Sequence, residues 1–454
     1  MKAGFGKYDI TPRLGVELFG FGPFLNRKSI AIRDILEARA GAFEAGGHIV
    51  VIISCDLCEI LSQTAASVRS IIRERHPELS DSDIMINASH THSGPATFFD
   101  NTGWGVTDPP WFSILPYRIA EAACRALEKM EEVMVLQALV PCRHLGLNRV
   151  RDVDSPPLED VLKDGWEPAK PELTDTQCRV IRFDSCKGGR MLGFMVYFGC
   201  HPVVCSESNR YISGDYPGVA MHSLMREFPG SIGMFLQGAE GDVNSGCVHK
   251  GEQESLLALD VFAARFANSI RTGLREAKPI EIRSIETASN IYPFKTRQIF
   301  TTKKLEELRK RYFAVLSHAE ANDTDWDSRI AAVYLRGIEA IKEQLNDNNL
   351  TIEAELHIIR MGDLEFLGAP FEVMQEIKND IHAASTAKFP MLMSLTNGAN
   401  GYAPDNDSLR GLIGGTGDKG NYESVRIPLI EGRLPYADIH NELVRYMTEL
   451  ESRL

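Results

Sequence analysis

The stretch "HIVVIISCDLCEILSQTAASVRSIIRERHPELSDSDIMINASHTHSG", residues 48–94, decides the fold class. It opens with an apolar run at 48–55, continues through an amphipathic segment at 65–76 and returns to an apolar run at 83–88. Short apolar runs closed by polar residues or glycine predict strands, and apolar positions three and four apart predict a helix. The stretch therefore predicts a strand, a helix and a second strand, and it ends in two histidines one residue apart.

The same alternation continues along the chain and predicts an α/β fold. Further strands are predicted at 133–140, 191–199, 232–237 and 364–368, and a further amphipathic helix at 117–132. A chain of 454 residues is long enough for two average domains or for one large α/β unit. No internal repeat or low-complexity linker marks a boundary between domains.

One segment, residues 301–349, departs from this alternation. It is rich in charge, has helical periodicity and is broken at "NDTD", residues 322–325. The pattern predicts a helical hairpin on the surface, either an insertion or a partner-binding arm, with no obvious chemistry.

Composition excludes several classes of partner. The formal net charge is −13, with 49 Lys and Arg against 62 Asp and Glu, which opposes binding to nucleic acid or stable association with anionic membranes. Hydrophobic residues make up 44% and charged residues 24%, values typical of a soluble globular protein. The start, "MKAGFGKYDITP", lacks the pattern of a secretory signal, so a cytoplasmic location is expected.

The nine cysteines are scattered, and several lie inside apolar runs. This distribution favours buried, reduced thiols over a disulfide framework. Cys55 and Cys58 form a CxxC pair, for which a structural zinc site is the alternative to inert core thiols.

Polar clusters follow five predicted strands at their carboxyl ends, where α/β proteins gather site residues. These clusters are "INASHTHSG" (86–94), "GCHPVV" (199–204), "QGAEGDVNSG" (237–246), "GAPFE" (368–372) and "NGANGYAPD" (397–405). His90, His92 and His201 stand beside Ser, Thr, Gly or Cys at such ends, where a neutral imidazole suits a metal ligand. Other histidines lie in charged or amphipathic segments and are expected at the surface: His76, His318, His357, His382 and His440.

Several motifs together resemble the neutral/alkaline, non-lysosomal ceramidase family of zinc amidohydrolases. They are "GFGKYDITP" (4–12), "IRDILEARA" (32–40), "SHTHSGP" (89–95), "NR" (148–149), "HPVVCSESNRYISGDYPG" (201–218), "QGAEGDVNSG" (237–246), "PFE" (370–372) and "NGYAP" (400–404). The resemblance runs from Gly4 to about Tyr422. It implies a mixed β-sheet core flanked by helices in an αββα-like arrangement, and a single ceramidase-like catalytic domain over 1–454 with 301–349 as an insertion.

The resemblance also implies a metal site. One zinc ion per chain would be held by His90, His201, Glu372 and Tyr402, and His92 would lie beside it. Two neutral imidazoles and one carboxylate leave such a cation with net positive charge, so that a bound water has a pKa of ~7.

Two further residues fit the chemistry of such a site. His92 can donate a proton to a leaving nitrogen or a hydrogen bond to the carbonyl oxygen. Arg149 would point into the pocket, where its planar fork suits a carboxylate, a phosphate or a polarised carbonyl group. The alternative for Arg149 is a structural salt bridge.

The chain departs from the family at one catalytic position. Ceramidases carry a serine after Gly-Asp-Val, where this chain has Asn244, and Ser245 comes one place later. We expect a zinc-hydroxide attack that needs no protein nucleophile, with Asn244 or neighbouring amides polarising the substrate. Asp242 and Glu240 are candidate bases, although an Asp in such a turn also serves as a backbone cap.

The C-terminal part of the sequence bears on the choice of substrate. We expect no counterpart of the immunoglobulin-like C-terminal domain of full-length ceramidases, because one amphipathic helix follows "YESVRIPLIEGR" (422–433). We therefore expect a small, water-soluble substrate and an amidase acting on it. The alternatives are a lactonase or esterase with the same metal site, and a catalytically silent ligand-binding relative. The oligomeric state stays open.

Overall fold

The computed structural model describes residues 1–454 except 24, 99–102, 153–154, 346–349 and 412–421. The strand, helix and strand predicted within residues 48–94 are present as β4 (His48–Cys55), α1 (Ser62–Arg75) and β5 (Ile84–Ala88), and the two strands pair in parallel. Parallel neighbours need a crossover connection, which α1 provides.

A mixed sheet of nine strands in the described residues forms the larger layer. Its order is β11-β9-β8-β6-β1-β3-β4-β5, and β13 also pairs with β6. The strands are β1 (Lys2–Asp9), β3 (Glu37–Ala45), β4 (His48–Cys55), β5 (Ile84–Ala88), β6 (Glu131–Pro141), β8 (Gln177–Ser185), β9 (Met191–Phe198), β11 (Ile232–Gln237) and β13 (Lys278–Ile280).

A smaller sheet packs face to face against the first. Its order is β14-β15-β16-β18, formed by Ile285–Lys295, Thr351–Met361, Leu364–Gly368 and Phe389–Met393. The interface is an apolar core in which Phe43 and Phe183 of the larger sheet meet Ile359 and Phe366 of the smaller one. Burial of these side chains is the main force holding the two sheets together.

Helices cover the outer faces of both sheets. The described helices are α1 (Ser62–Arg75), α2 (Pro109–Leu127), α3 (Leu158–Val161), α4 (Asp215–Glu227), α5 (Glu252–Glu276), α6 (Thr302–Leu316), α7 (Trp326–Gln344), α8 (Gln375–Ala384), α9 (Asn406–Leu409), α10 (Ile427–Glu431) and α11 (Ile439–Glu451). Helices α1, α2, α4 and α5 pack on the larger sheet, and α8 and α11 on the smaller. The predicted αββα-like layering is confirmed.

Short two-stranded ladders complete the strands. They are β2 with β10 (Ala31–Ile32 and Tyr211–Ile212), β7 with β12 (Gly146–Asn148 and Val243–Ser245), and β17 with β19 (Glu372–Val373 and Tyr402–Ala403). The last two ladders lie where polar clusters were predicted.

The buried side chain of Asn87 ties three strand ends together. Its Oδ1 accepts from the backbone N of Gln237 at 2.9 Å, and its Nδ2 donates to the carbonyl of Ser394 at 2.6 Å. These residues end β5, end β11 and follow β18. One amide thus brings the carboxyl ends of strands from both sheets to the same place.

The segment 301–349 contains the two helices α6 and α7, and its residues 346–349 lie outside the described part. Gly337 of α7 sits so close to α10 that a Cβ there would lie 1.8 Å from the carbonyl oxygen of Leu429. Contact this close requires glycine. The hairpin is therefore packed firmly onto α10, and whether it is an insertion stays a prediction.

Several predictions about side-chain location can be compared with the structure. His318 is exposed, but His357 and His440 are buried, so the expectation of surface positions is wrong for these two. Each has hydrogen-bond partners that offset burial: Asn397 for His357 and Asp380 for His440. All nine cysteines are free thiols, eight buried and one exposed. No described helix combines the length and apolar character needed to cross a bilayer.

Candidate metal centre and active-site cavity

His90 and His201 each have one ring nitrogen held by the backbone. The Nδ1 of His90 donates to the carbonyl of Cys58 at 2.8 Å, and the Nδ1 of His201 donates to the carbonyl of Glu240 at 2.6 Å. A neutral imidazole with its proton on Nδ1 has a lone pair on Nε2. Both side chains therefore present Nε2 as a metal ligand.

A backbone ladder brings Glu372 beside Tyr402. Strands β17 and β19 pair in parallel with Glu372 opposite Tyr402, and the N–H of Glu372 donates to the carbonyl of Gly401 at 3.0 Å. Segments 30 residues apart in sequence thus deliver a carboxylate and a phenol to one point.

The three predicted nitrogen and carboxylate ligands converge. The Oε2 of Glu372 lies 3.4 Å from Nε2 of His90 and 3.2 Å from Nε2 of His201. Ligand atoms bonded to a tetrahedral zinc ion at about 2.0–2.1 Å lie roughly 3.3 Å apart. The donor set and its spacing therefore fit a zinc ion. The fourth predicted ligand, Tyr402, is buried on the same ladder.

The charges of this centre call for a cation. Burial lowers the pKa of His201 to about 4. Burial also acts on His90, but Cys58 and Glu372 outweigh it and hold its pKa well above the usual value. Burial opposes ionisation of Glu372, yet the two histidines hold its pKa well below the usual value. The carboxylate is therefore anionic, and a proton and a metal ion compete for the ligands around it.

His92 lies beside the three candidate ligands. Its Nε2 is 3.3 Å from Nε2 of His90, and its Nδ1 accepts from the backbone N of Phe21 at 3.3 Å. That bond places the proton of a neutral ring on Nε2. The neighbouring Gly20 leaves space for the ring, because a Cβ there would lie 2.3 Å from Cγ of His92.

Arg149 both lines the cavity and forms an ion pair, so the two alternatives for it hold together. Its Nη2 donates to the carbonyl of Gly241 at 2.9 Å and lies 3.2 Å from Oε1 of Glu423. Its Nη1 donates to Oδ1 of Asn244 at 3.3 Å, and its guanidinium lies over the ring of Tyr402. These contacts fix the fork at the edge of the metal centre.

Asn244 lines the cavity, whereas the side chains of nearby residues in the same segment make structural contacts instead. Oδ1 and Oδ2 of Asp242 accept from the backbone N of Gln375 and from Asn148, so Asp242 caps α8. The hydroxyl of Ser245 donates to the carbonyl of Cys247 at 2.9 Å. Burial raises the pKa of Glu240 to about 8. Asp242, Ser245 and Glu240 are absent from the described residues that line the cavity.

The metal centre lies in a cavity of about 1170 Å³. Its lining includes five aromatic side chains besides the tyrosines and histidines: Phe19, Phe21, Phe98, Trp104 and Trp326. Trp326 starts α7, so the helical hairpin contributes to the cavity, which the sequence did not predict. The volume lies slightly above the usual range of about 300–1,000 Å³ for small-molecule sites and exceeds what a compact polar substrate needs.

The sequence also left Asn87, Gly20, Glu423 and Arg433 without a role, although they shape or line this site. Asn87 was the only one with a usable signal, because it precedes "SHTHSG" at a strand end. Glu423 and Arg433 act through contacts between segments far apart in sequence, which no local pattern indicates.

Fold and site together define the class of protein: an α/β domain with a buried cluster of two histidines and a carboxylate at its strand ends. A family model described as neutral/alkaline non-lysosomal ceramidase, N-terminal, matches residues 1–252. The chain belongs to this family, and the resemblance drawn from the motifs is confirmed. Glu372 and Tyr402 lie beyond the matched residues, so their place in the site rests on geometry.

Relatives with known names agree with this assignment. The chain is 27% identical over 259 residues to neutral ceramidase A of Dictyostelium discoideum, covering 53% of this chain and 35% of that protein. It is 26% identical over 294 residues to the neutral ceramidase of Pseudomonas aeruginosa strain PAO1, covering 62% and 41%. The matches thus span little more than a third of the relatives' length.

Solved structures show the same fold. A crystal structure of neutral ceramidase from Pseudomonas aeruginosa matches with a TM-score of 0.73 at 18% identity, covering 100% of this chain and 75% of that one. A structure described as ceramidase complexed with C2 matches with a TM-score of 0.72 at 17% identity and the same coverage.

Proposed function

We propose that the protein hydrolyses an amide bond and that one zinc ion, held by His90, His201 and Glu372 with Tyr402 as fourth ligand, serves the reaction. The observation that carries the proposal is the convergence of two Nε2 atoms and one carboxylate oxygen within a cavity. Family membership supports amide cleavage. The mixed nitrogen and oxygen donor set supports zinc among the first-row metals.

A divalent cation in such a donor set acidifies a water molecule and polarises a carbonyl group. Side chains of the protein supply the hydrogen-bond donor and the positive charge that the reaction needs. His92 donates from Nε2 to the carbonyl oxygen of the substrate, because Phe21 holds its Nδ1 as an acceptor. Arg149, whose guanidinium lies over the ring of Tyr402, supplies a fixed positive charge that stabilises negative charge developing on the substrate.

Asn244 replaces the family's serine without supplying a nucleophile. Its Oδ1 accepts from Arg149, so Nδ2 is the atom with which it can polarise a substrate carbonyl. Ser245 cannot take over, because its hydroxyl is buried and donates to the backbone. The route therefore relies on activated water, and Ser245→Ala should leave turnover within about twofold of wild type, since it touches only a structural bond.

The substrate is proposed to join an apolar part to a polar one. Five aromatic side chains line the cavity together with charged groups such as Arg149 and Arg433. The aromatic lining accommodates an acyl group, because apolar contact contributes most of the affinity in such pockets. A purely hydrophilic substrate would leave this lining unused.

Zinc content and hydrolysis of short fluorogenic amides, esters and lactones test the proposal. Wild type should carry about one zinc per chain and cleave an amide. His201→Ala should lose the metal and at least about a hundredfold in kcat/KM, because a ligand matters more than its outer partners. His318→Ala, the same change at an exposed position, should alter neither.

Other outcomes would redirect the assignment. Cleavage of esters or lactones with no amide hydrolysis would favour the C–O alternative. Full zinc occupancy with ligand binding and no turnover of any probe would favour a silent ligand-binding relative.

A further inference from the structure

Arg433 lines the cavity, and its terminal nitrogens have no hydrogen-bond partners in the part of the chain that the structure describes. It follows α10, lines the cavity and keeps 19% of its side chain exposed. Its Nε donates to Oε2 of Glu431 at 2.5 Å. Both terminal nitrogens, Nη1 and Nη2, are buried and have no hydrogen-bond partner among the described residues. Buried donors without partners are uncommon in folded proteins and call for an explanation.

The guanidinium lies next to the metal centre. Gly401 has a φ of +73°, and a Cβ at this position would lie 2.3 Å from Nη2 of Arg433. The carbonyl of Gly401 accepts from the N–H of Glu372, and Tyr402 is the next residue. Nη2 of Arg433 therefore lies against Gly401, the residue that directly precedes the proposed ligand Tyr402.

A stacked tyrosine ring and a backbone hydrogen bond fix the position of the Arg433 guanidinium. It lies over the ring of Tyr436, 5.1 Å from the ring centroid, and the Tyr436 hydroxyl donates to the carbonyl of Asn400 at 3.0 Å. The backbone N of Arg433 donates to the carbonyl of Pro428 at 2.9 Å. A stacked and tethered arginine offers a pre-organised planar fork.

An apolar wall also lines the cavity. The rings of Phe19 and Phe98 stack with centroids 5.4 Å apart, and Trp104 lies 6.4 Å from Phe19. A cavity with an aromatic wall and a buried arginine fork suits a ligand with an apolar acyl group and an anionic group.

We propose that Arg433 forms a carboxylate-binding subsite and that the substrate is an N-acylated amino acid. The two free nitrogens bind the two oxygens of the carboxylate on the amine portion, while the acyl group lies on the aromatic wall. Carboxylates match the bidentate geometry of a guanidinium better than hydroxyl groups do. The inference rests on the proposed amide hydrolysis and specifies its substrate class.

Two matched probes test the subsite: N-octanoylglycine and its neutral counterpart N-octanoylethanolamine. Wild-type, zinc-containing protein should favour the carboxylate probe, and Arg433→Gln should reduce the ratio of the two kcat/KM values at least about tenfold. Arg433→Lys should restore part of the ratio, since it keeps the charge and loses the fork. Arg283→Gln, at an arginine 82% exposed, should leave the ratio unchanged. Thermal unfolding of each variant confirms that it folds.

The outcomes separate this proposal from the proposed function. Equal cleavage of both probes, or an unchanged ratio in Arg433→Gln, would overturn the subsite and leave amide hydrolysis standing. If neither probe is cleaved, the proposed function fails. Calorimetric titration with N-octanoylglycine then tests carboxylate binding by Arg433 independently of hydrolysis. Binding by wild type that is lost in Arg433→Gln supports it, and equal or absent binding overturns it. If Arg433→Gln does not fold, Arg433→Lys carries the same comparison.

Discussion

At the scale of single residues, Gly20 controls the orientation of His92. It has a φ of +98°, and a Cβ there would lie 2.3 Å from Cγ and 2.6 Å from Nδ1 of the imidazole. Gly20→Ala should displace the ring and lower kcat about 10–100-fold, because misplacing a catalytic group by about 1 Å has that order of effect. Zinc content should stay at the wild-type level, since His92 is not one of the proposed zinc ligands.

Gly15→Ala is the matched control for this prediction. Gly15 has a φ of +88° and no atom within 4 Å of the position of a Cβ, so the variant carries similar backbone strain without the clash. Equal loss of kcat in the two variants, measured on the same amide, would contradict the role given to Gly20.

Individual residues also show how far the sequence predicts the site. The two histidines of "SHTHSG" and His201 carry a local signal, because imidazoles at strand ends beside small residues are unusual. Glu372 and Tyr402 lie in polar clusters that were predicted at strand ends, but their assignment as ligands came from the family resemblance, since a lone carboxylate or phenol has no pattern of its own. Their pairing depends on the ladder between β17 and β19. Strands of two residues are too short to be predicted from a sequence pattern.

At the scale of elements, Asn87 joins the ends of β5, β11 and the segment after β18. Asn87→Ala removes its bonds to Gln237 and Ser394 and leaves the buried N–H of Gln237 without this acceptor. We expect a loss of about 2–4 kcal/mol in the free energy of unfolding, measured with urea. Zinc affinity should fall as well, because His90 and His201 lie on loops that these strand ends position.

Asn290→Ala provides the comparison, since the side chain of Asn290 on β14 donates to an exposed carbonyl at 3.3 Å. Its effect on unfolding should stay below about 0.5 kcal/mol. A loss in Asn87→Ala no larger than in this control would show that the junction does not organise the sheets.

Some strands were predicted from the sequence and others were missed, and each outcome has a physical reason. The strands at 48–55, 232–237 and 364–368 match the structure, because buried strands form continuous apolar runs. Strand β3, "EARAGAFEA", was missed because its alanines favour a helix locally and only tertiary pairing makes it a strand. Strand β14 was missed because its polar residues reflect one partly exposed face.

At the scale of the whole molecule, a buried charge network links the larger sheet to α4. Arg39 is fully buried and donates to Glu37 at 3.1 Å and Asp56 at 2.8 Å, while Lys7 and His222 also contact Glu37. Burial favours the neutral form of Glu37, but His222, Arg39 and Lys7 outweigh it and hold its pKa below the usual value.

This network predicts sensitivity to acid. A carboxyl group with a lowered folded-state pKa stabilises the fold above its unfolded pKa of ~4.3, and the contribution is lost as pH falls towards the folded value. Stability should therefore decline below about pH 5. Glu37→Gln should cost about 3 kcal/mol at pH 7, because it removes one of the two buried carboxylates that pair with Arg39, and the difference from wild type should shrink towards acid.

Glu44→Gln on the same strand tests whether the effect depends on burial. Glu44 pairs with Lys2, whose side chain is 49% exposed, and such surface pairs contribute about 0–1 kcal/mol. Urea unfolding at pH 7 and pH 4 compares the variants. A pH dependence in Glu37→Gln as steep as in wild type would refute the assignment.

The placement of Glu372 far along the chain has a consequence for biosynthesis. His90 emerges from the ribosome nearly 300 residues before Glu372, which at ordinary elongation rates corresponds to roughly 15–60 s. During that interval the nascent chain holds imidazoles without the carboxylate that completes the donor set. On the proposed function, metal binding is thus a late event, and a chain interrupted before Glu372 emerges should not bind zinc.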